Sequence, residues 1–205
     1  WEGSGKRRIF FATNDSYLWA LDAETGQVDS AFGDGGRVDL SQGLGREINK
    51  RDYGVVSPVL VTNNKVIVNS IVNDAPASLE TPPGHVRAFN PETGALEWMF
   101  ETIPQAGEFG NETWEDGSWE YTGSTNAWTI MSADDELGIA YIPIGTPTND
   151  WYGGMRKGDN LFAESLVAVD VNTGERIWHF QMIHHGVWDY DLPAAPTLVD
   201  ITVDG

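Results

Sequence analysis

A repeat constrains this chain more than any other feature. Three segments, "LWALDAETGQ" from Leu18, "VRAFNPETGA" from Val86 and "LVAVDVNTGE" from Leu166, share one pattern. Each alternates as a half-buried strand does and then runs into an Asp/Asn-x-x-Thr-Gly turn. The turn glycines, Gly26, Gly94 and Gly174, stand where a tight hairpin demands a positive φ. In the second and third copies a Trp follows four residues after that Gly, at Trp98 and Trp178. The first copy has Ser30 there, with Phe32 nearby as a partial substitute. A large flat ring recurring once per unit is expected to pack one unit on the next.

The same order of strands extends outward from the second and third copies. "GVVSPVLVT", a turn at "NNK", "VIVNSI", a polar insert, "HVRAFN", the Thr-Gly turn and "LEWMFE" make one unit. "NAWTIMSA", a turn at "DDELG", "IAYIPI", a second polar insert, "SLVAVD", the turn and "RIWHFQ" make the next. Each reads as a four-stranded meander, and such units in tandem are the blades of a β-propeller. "RIFFATN" with "LWALDA" supplies most of an earlier blade, and "APTLVDITV" the first strand of a later one. The expected fold is therefore all-β, a propeller of four-stranded antiparallel blades. Residues 1–205 span three to four blades, about half a ring, with no second domain. The alternative for the same strands is a β-sandwich, which would not require this periodicity.

Composition narrows the function. Thirty-one acids against twelve Lys and Arg give a formal charge of −19, a field that repels phosphate backbones and excludes nucleic acid as a natural partner. With no cysteine, disulfides, thiolate metal sites and cysteine nucleophiles are all ruled out. The chain opens on "WEGSGKRRIFF", without a starting Met or a signal-peptide pattern, and reads as an excerpt of a longer mature chain.

Chemistry is expected on the loops that break the repeat. Both inserts fall between the second and third strands of their blades, so they emerge on one rim. One carries Asn73 and Asp74 in "VNDAPASLE"; the other carries Thr146, Thr148, Asn149 and Asp150 in "GTPTNDWYGG". Oxygen donors converging from adjacent blades suit a hard cation such as Ca²⁺, although the same residues are ordinary turn formers. A third loop is "HHGVWDYD", His184 to Asp191. Adjacent side chains in extended chain point to opposite faces, so His184 and His185 do not chelate one metal together. With only His85 and His179 besides, a zinc site is not expected. Asp189, beside the bulky Trp188, has the character of a general base; the plainer reading is that Asp189 or Asp191 caps a turn.

The repeats, "GDNLFAESLVAVDVNTGERIWHFQ" and "HHGVWDYDLPAAPTLVDI" together resemble the pyrroloquinoline quinone (PQQ)-dependent dehydrogenases, eight-bladed propellers that act on alcohols, glucose, quinate and shikimate. The resemblance implies that Asp189, in the Trp-Asp pair, takes the substrate hydroxyl proton. It implies that Trp128, in "STNAWTIMS", is the floor on which the quinone stacks, and that Ser57 contacts the cofactor. Asn73, Asp74 and Thr148 would be the metal ligands, for Ca²⁺ or Mg²⁺. Where the alcohol dehydrogenases have a Glu in the first insert and an Asn in the second, "VNDAPA" and "GTPTND" look closer to the glucose-type pattern.

The function so implied is oxidation of an alcohol, polyol or sugar, with PQQ reduced and its electrons passed to cytochrome c or a membrane quinone. The setting implied is the periplasm, either in solution or facing it from an anchor outside this chain. The excerpt alone is expected to be inactive, and unstable or self-associating, because half a ring exposes faces that a closed ring buries. The rival is a non-catalytic propeller scaffold with the same repeats, which would need neither Trp128 nor the Trp-Asp segment. A glycosidase, identifiable by sugar hydrolysis without an electron acceptor, is a further alternative.

Overall fold

A computed structural model of the protein describes residues 1–203. Asp204 and Gly205, the end of the span assigned to the propeller, lie outside the described residues. The first blade is formed by β1 (Glu2–Gly3), β2 (Lys6–Ala12), β3 (Tyr17–Asp22) and β4 (Arg37–Asp39), paired in that order. A short strand, β5 (Tyr53–Gly54), then leads into β6 (Leu60–Thr62) and β7 (Lys65–Val68). β8 (Ile71–Val72) turns back to pair with β5, and β9 (Val86–Phe89) and β10 (Leu96–Phe100) complete the second blade in the order β10-β9-β7-β6. The third blade runs β11 (Ser132–Asp134), β12 (Ile139–Pro143), β13 (Ser165–Asp170) and β14 (Arg176–Gln181). Every strand pair is antiparallel. Among the described residues no helix is long and apolar enough to cross a membrane.

The repeated turn has one construction in all three blades. The side-chain oxygen Oδ1 of Asp22, Asn90 or Asp170 accepts the backbone N–H of the Thr three residues on, at 2.7, 3.0 and 3.0 Å. The Gly N–H then closes onto the backbone carbonyl of the same Asp or Asn at 2.8–2.9 Å, with Gly φ of 69°, 76° and 73°. Asp and Asn serve equally because only a carbonyl-type oxygen is needed.

Blades meet through two apolar cores. Leu18, Phe32, Val66 and Phe89 belong to the core between the first and second, and Ile67, Trp98, Ile142 and Val167 to the core between the second and third. Trp98 is 7% exposed and its indole N–H donates to the Val171 carbonyl, beside the third blade's Thr-Gly turn, at 2.7 Å. The expected docking residue thus bonds across the blade boundary it covers. Phe32 fills the equivalent place, fully buried with its ring 5.3 Å from Phe10, while Gly33 N–H donates to the Thr93 carbonyl of the next turn. Trp178 packs on Tyr141 and stays 40% exposed, on a face that also presents Ile177 and Phe180.

Two strand expectations are revised, and the first blade differs from the other two. The first blade's last strand begins only at Arg37, because residues 27–36 make isolated bridges, Leu21 to Val28 and both Gly33 and Asp34 to Arg37, around a glycine-rich loop. "GVVSPVLVT" is strand only at its two ends, interrupted around Pro58, which has no N–H to give a ladder. "APTLVDITV" forms no strand. The segment leading into it and its own first residues run beside β11, where the hydroxyls of Thr129 and Ser132 donate to the carbonyls of Pro193 and Pro196. A strand exists only with a ladder partner, and these bonds are to side chains.

Candidate active site

In the second and third blades the hairpin turns lie at one end and the long connections at the other. The loop after β7, the insert after β12 and the segment after β14 therefore converge. They enclose a cavity of about 410 Å³ lined by Asp74, Trp128, Asp150, Asp189 and Asp191 among others. Its floor is fixed by Asp191. That carboxylate accepts the Trp128 indole N–H at 2.6 Å through Oδ2, and through Oδ1 the Thr146 N–H at 2.5 Å and hydroxyl at 2.7 Å. One acid thereby holds the ring and the second insert together. Ser57, outside the cavity lining, holds the backbone of Trp128, its hydroxyl donating to the Trp128 carbonyl.

The two inserts repeat a smaller device, an Asn-Asp pair. In each, the Asn side chain accepts the N–H two residues on, Asn73 from Ala75 and Asn149 from Trp151, both at 3.1 Å. In each, the following Asp faces the cavity. The Asn makes the turn and the Asp is left free for chemistry.

Of the residues singled out from the sequence, Asp74, Trp128 and Asp189 line this one cavity. Asn73 does not; its amide donates to Asp52 at 2.8 Å and it lines a neighbouring cavity of about 280 Å³. Thr148 is buried outside the lining, accepting a hydrogen bond from the Thr81 hydroxyl at 3.1 Å. Asp150 and Asp191 line the cavity as well, and the sequence points to them less clearly. The signal for Asp150 was the matching Asn-Asp in both inserts, whereas nothing local in "WDYD" shows that its second Asp reaches Trp128 and Thr146.

Like charges govern the electrostatics. Burial pushes Asp150 up to about 7, with Asp74, Asp189 and Asp191 adding repulsion and Arg156 opposing it. Burial also raises Asp74, helped by Asp189 and Asp191, and raises Asp189, helped by Asp191. A group of carboxylates that raise one another's proton affinity is short of positive charge. Among the described residues no three acidic or histidine groups form a metal cage. The donor set is all oxygen, which suits a hard cation that takes the rest of its ligands from elsewhere. The half-buried Trp128 ring offers a flat apolar face beside these acids. Such a cavity suits a planar, multiply oxygenated ligand together with a divalent cation.

Residues 1–205 match the family described as the PQQ glucose/ethanol/alcohol dehydrogenase β-propeller domain. The chain belongs to the PQQ dehydrogenase propeller family. It is 34% identical over 198 residues to the quinoprotein glucose dehydrogenase of Gluconobacter oxydans, covering 96% of this chain and 24% of that protein. It is 33% identical over 195 residues to the quinate/shikimate dehydrogenase (quinone) of Acinetobacter baylyi, covering 95% and 24%. Among solved structures, the quinohemoprotein alcohol dehydrogenase from Comamonas testosteroni superposes with a TM-score of 0.79 at 26% identity, covering 97% of this chain and 29% of that one. The chain thus spans about a quarter of the length of the curated relatives it matches. Of the three blades, the second and third line the cavity with their connections, together with the segment after β14.

Proposed function

We propose that the protein containing this chain is a PQQ-dependent dehydrogenase that oxidises a small alcohol, polyol or sugar. The observation that carries this reading is the convergence of Trp128 with Asp74, Asp150 and Asp189, brought from separate loops to one cavity. Trp128 would hold the quinone by stacking, with its ring orientation set by Asp191 and its backbone by Ser57. Asp74 and Asp150 would hold Ca²⁺ or Mg²⁺, while Asn73 and Asn149 shape the turns that present them. When bound, the quinone supplies the two-electron acceptor chemistry that no side chain offers.

Asp189 is the base. It is exposed to the cavity, its proton affinity is raised above that of an ordinary aspartate, and it can take the substrate hydroxyl proton as the carbon loses its hydride. The surrounding acids favour a neutral hydroxyl substrate over an anionic one. Electrons would leave to cytochrome c or a membrane quinone, in the periplasm.

Reconstitution of the full-length apoprotein with PQQ and Ca²⁺, followed by dye reduction across alcohols, polyols and sugars, tests the reading. Turnover that depends on the cofactor is expected. Asp189→Asn should lower kcat by roughly 10²–10⁴-fold and leave PQQ binding intact. A folded protein that binds no PQQ would instead be a propeller scaffold.

A further inference from the structure

Two stretches that meet only in the folded protein carry the cavity acids: the insert 144–164, with Asp150, and the segment 182–191, with Asp189. They are joined by polar groups that the proposed reaction does not use. Arg156 is fully buried. Its Nη2 donates to the Asn149 carbonyl at 2.9 Å and to the Gly186 carbonyl at 2.7 Å, and its Nη1 donates to Asn160 Oδ1 at 2.9 Å. Asn149 directly precedes Asp150, and Gly186 stands three residues before Asp189.

A second fastener lies one residue away. The His185 backbone N–H donates to the Asp159 carbonyl at 3.2 Å, and its ring Nδ1 donates to the Gly158 carbonyl at 2.7 Å. Gly186 is pressed from its other side by Glu164, a fully buried acid whose two oxygens have no hydrogen-bond partner. A Cβ built on Gly186 would lie 1.8 Å from Glu164 Oε2, so no other residue fits between Glu164 and the guanidinium's carbonyl. Burying a guanidinium is costly, and here it holds two loop carbonyls and one amide at once through a rigid planar fork. A lysine, with a single ammonium, cannot span the three.

We infer that Arg156 is a positioning residue, a clamp that sets the spacing between Asp150 and Asp189 by holding the backbone of both stretches, with His185 as its second fastener. The histidine pair of "HHGVWDYD" therefore contributes a fastener rather than a ligand. The clamp itself follows from the geometry; its effect on turnover rests on the proposed function.

The test is hydrogen exchange on the full-length apoprotein, wild type against Arg156→Lys and His185→Ala, with kinetics of the PQQ-loaded enzyme beside it. Amides in residues 149–155 and 184–191 are expected to exchange roughly tenfold faster or more, while the Thr-Gly turns keep their rates. Arg156→Lys should lower kcat by roughly 10²-fold with little change in KM, since small misplacements of reacting groups cost that much; His185→Ala should do the same to a smaller degree. His185 is only half-buried, so if Arg156→Lys fails to fold, His185→Ala carries the exchange readout. Wild-type exchange in either stretch would overturn the clamp. Faster exchange with unchanged kcat would overturn its role in spacing the acids. A wild-type protein without PQQ turnover would sink the proposed function and leave the exchange result to decide the clamp.

Discussion

Acids around the Thr-Gly turns and acids around the cavity are treated in opposite ways. At the hairpin end, the Asp22 carboxyl is held below its ordinary range by the backbone and hydroxyl of Thr25. Close by in the first blade, Asp29 is pulled down to about 2, mainly by the Arg8 guanidinium at 2.6–2.9 Å. At the other end Asp150 and Glu164 are pushed up to about 7, chiefly by burial. The positive φ at the Thr-Gly turns falls on glycine, whereas around the cavity it falls on Ser124, Thr125, Asn160, Glu164, His185 and Asp189. Unpartnered buried atoms of Thr125, Arg156 and Glu164 lie there too. The Thr-Gly turns satisfy their polar groups locally; the cavity gathers acids of raised proton affinity, positive φ at non-glycine residues and unpartnered polar atoms.

The largest effect expected from breaking this division is at the scaffold. Trp98→Ala would remove a nearly buried indole and its bond to Val171 across the second blade boundary. In the full-length protein it should cost about 3–5 kcal/mol, read as a lower denaturant midpoint. PQQ affinity per folded molecule should hardly change, because Trp98 belongs to the core between blades and not to the cavity lining. A loss of cofactor binding larger than the loss of stability would show that the two ends are not separable.

That division also decides what could be read from the sequence. The turns were legible because each is a local device: Asp170 meets its partners two and three residues on, so the motif contains its own explanation. The same holds for the Asn-Asp pairs as turns. The cavity was legible only where position within the repeat located a loop, as for Asp74 and Asp189. Asp191 reaches Thr146, 45 residues away, and Trp128, 63 residues away; Arg156 reaches Gly186 across 30. No spacing pattern encodes such contacts. Residue type alone gives Asn73, Asp74, Asn149 and Asp150 one reading, cation ligand or turn former; in the fold the Asn of each pair bonds its own loop and the Asp lines the cavity.

A second prediction, of intermediate size, concerns pH. Glu164 sits under Gly186 with a folded pKa of about 7, raised by burial from near 4.5, with Asp191 adding to the rise and Arg156 opposing it. The folded state therefore holds a proton that the unfolded state releases. Its contribution is complete below about pH 4.5 and is lost as pH rises through about 7, by up to about 3 kcal/mol. Glu164→Gln should flatten much of that decline between pH 4.5 and 8 in thermal melts of the full-length apoprotein. Glu101, also raised to about 7 by burial and by Glu108, should leave a residual slope. Asp29 has the opposite sign: its lowered pKa stabilises the fold above about pH 3.8, and that contribution fades as pH falls towards about 2. An unchanged slope in Glu164→Gln would mean that this carboxyl is ionised in the fold.

The smallest effect sharpens the contrast from the side of the turns. Asp170 accepts the N–H groups of Asn172 and Thr173 at 2.8 and 3.0 Å, and the second blade makes the same turn with Asn90. If the turn needs an oxygen and not a charge, Asp170→Asn should leave stability within about 0.5 kcal/mol of wild type, and Asp170→Ala should cost about 1 kcal/mol. At the cavity the same exchange of Asp for Asn, at Asp189, would remove the proposed base and is expected to abolish most turnover. One chemical change that is silent at one end and disabling at the other would show that the hairpin end uses aspartate for its geometry and the cavity end for its proton. Equal destabilisation by Asp170→Asn and Asp170→Ala would instead mean that charge matters at the turns as well.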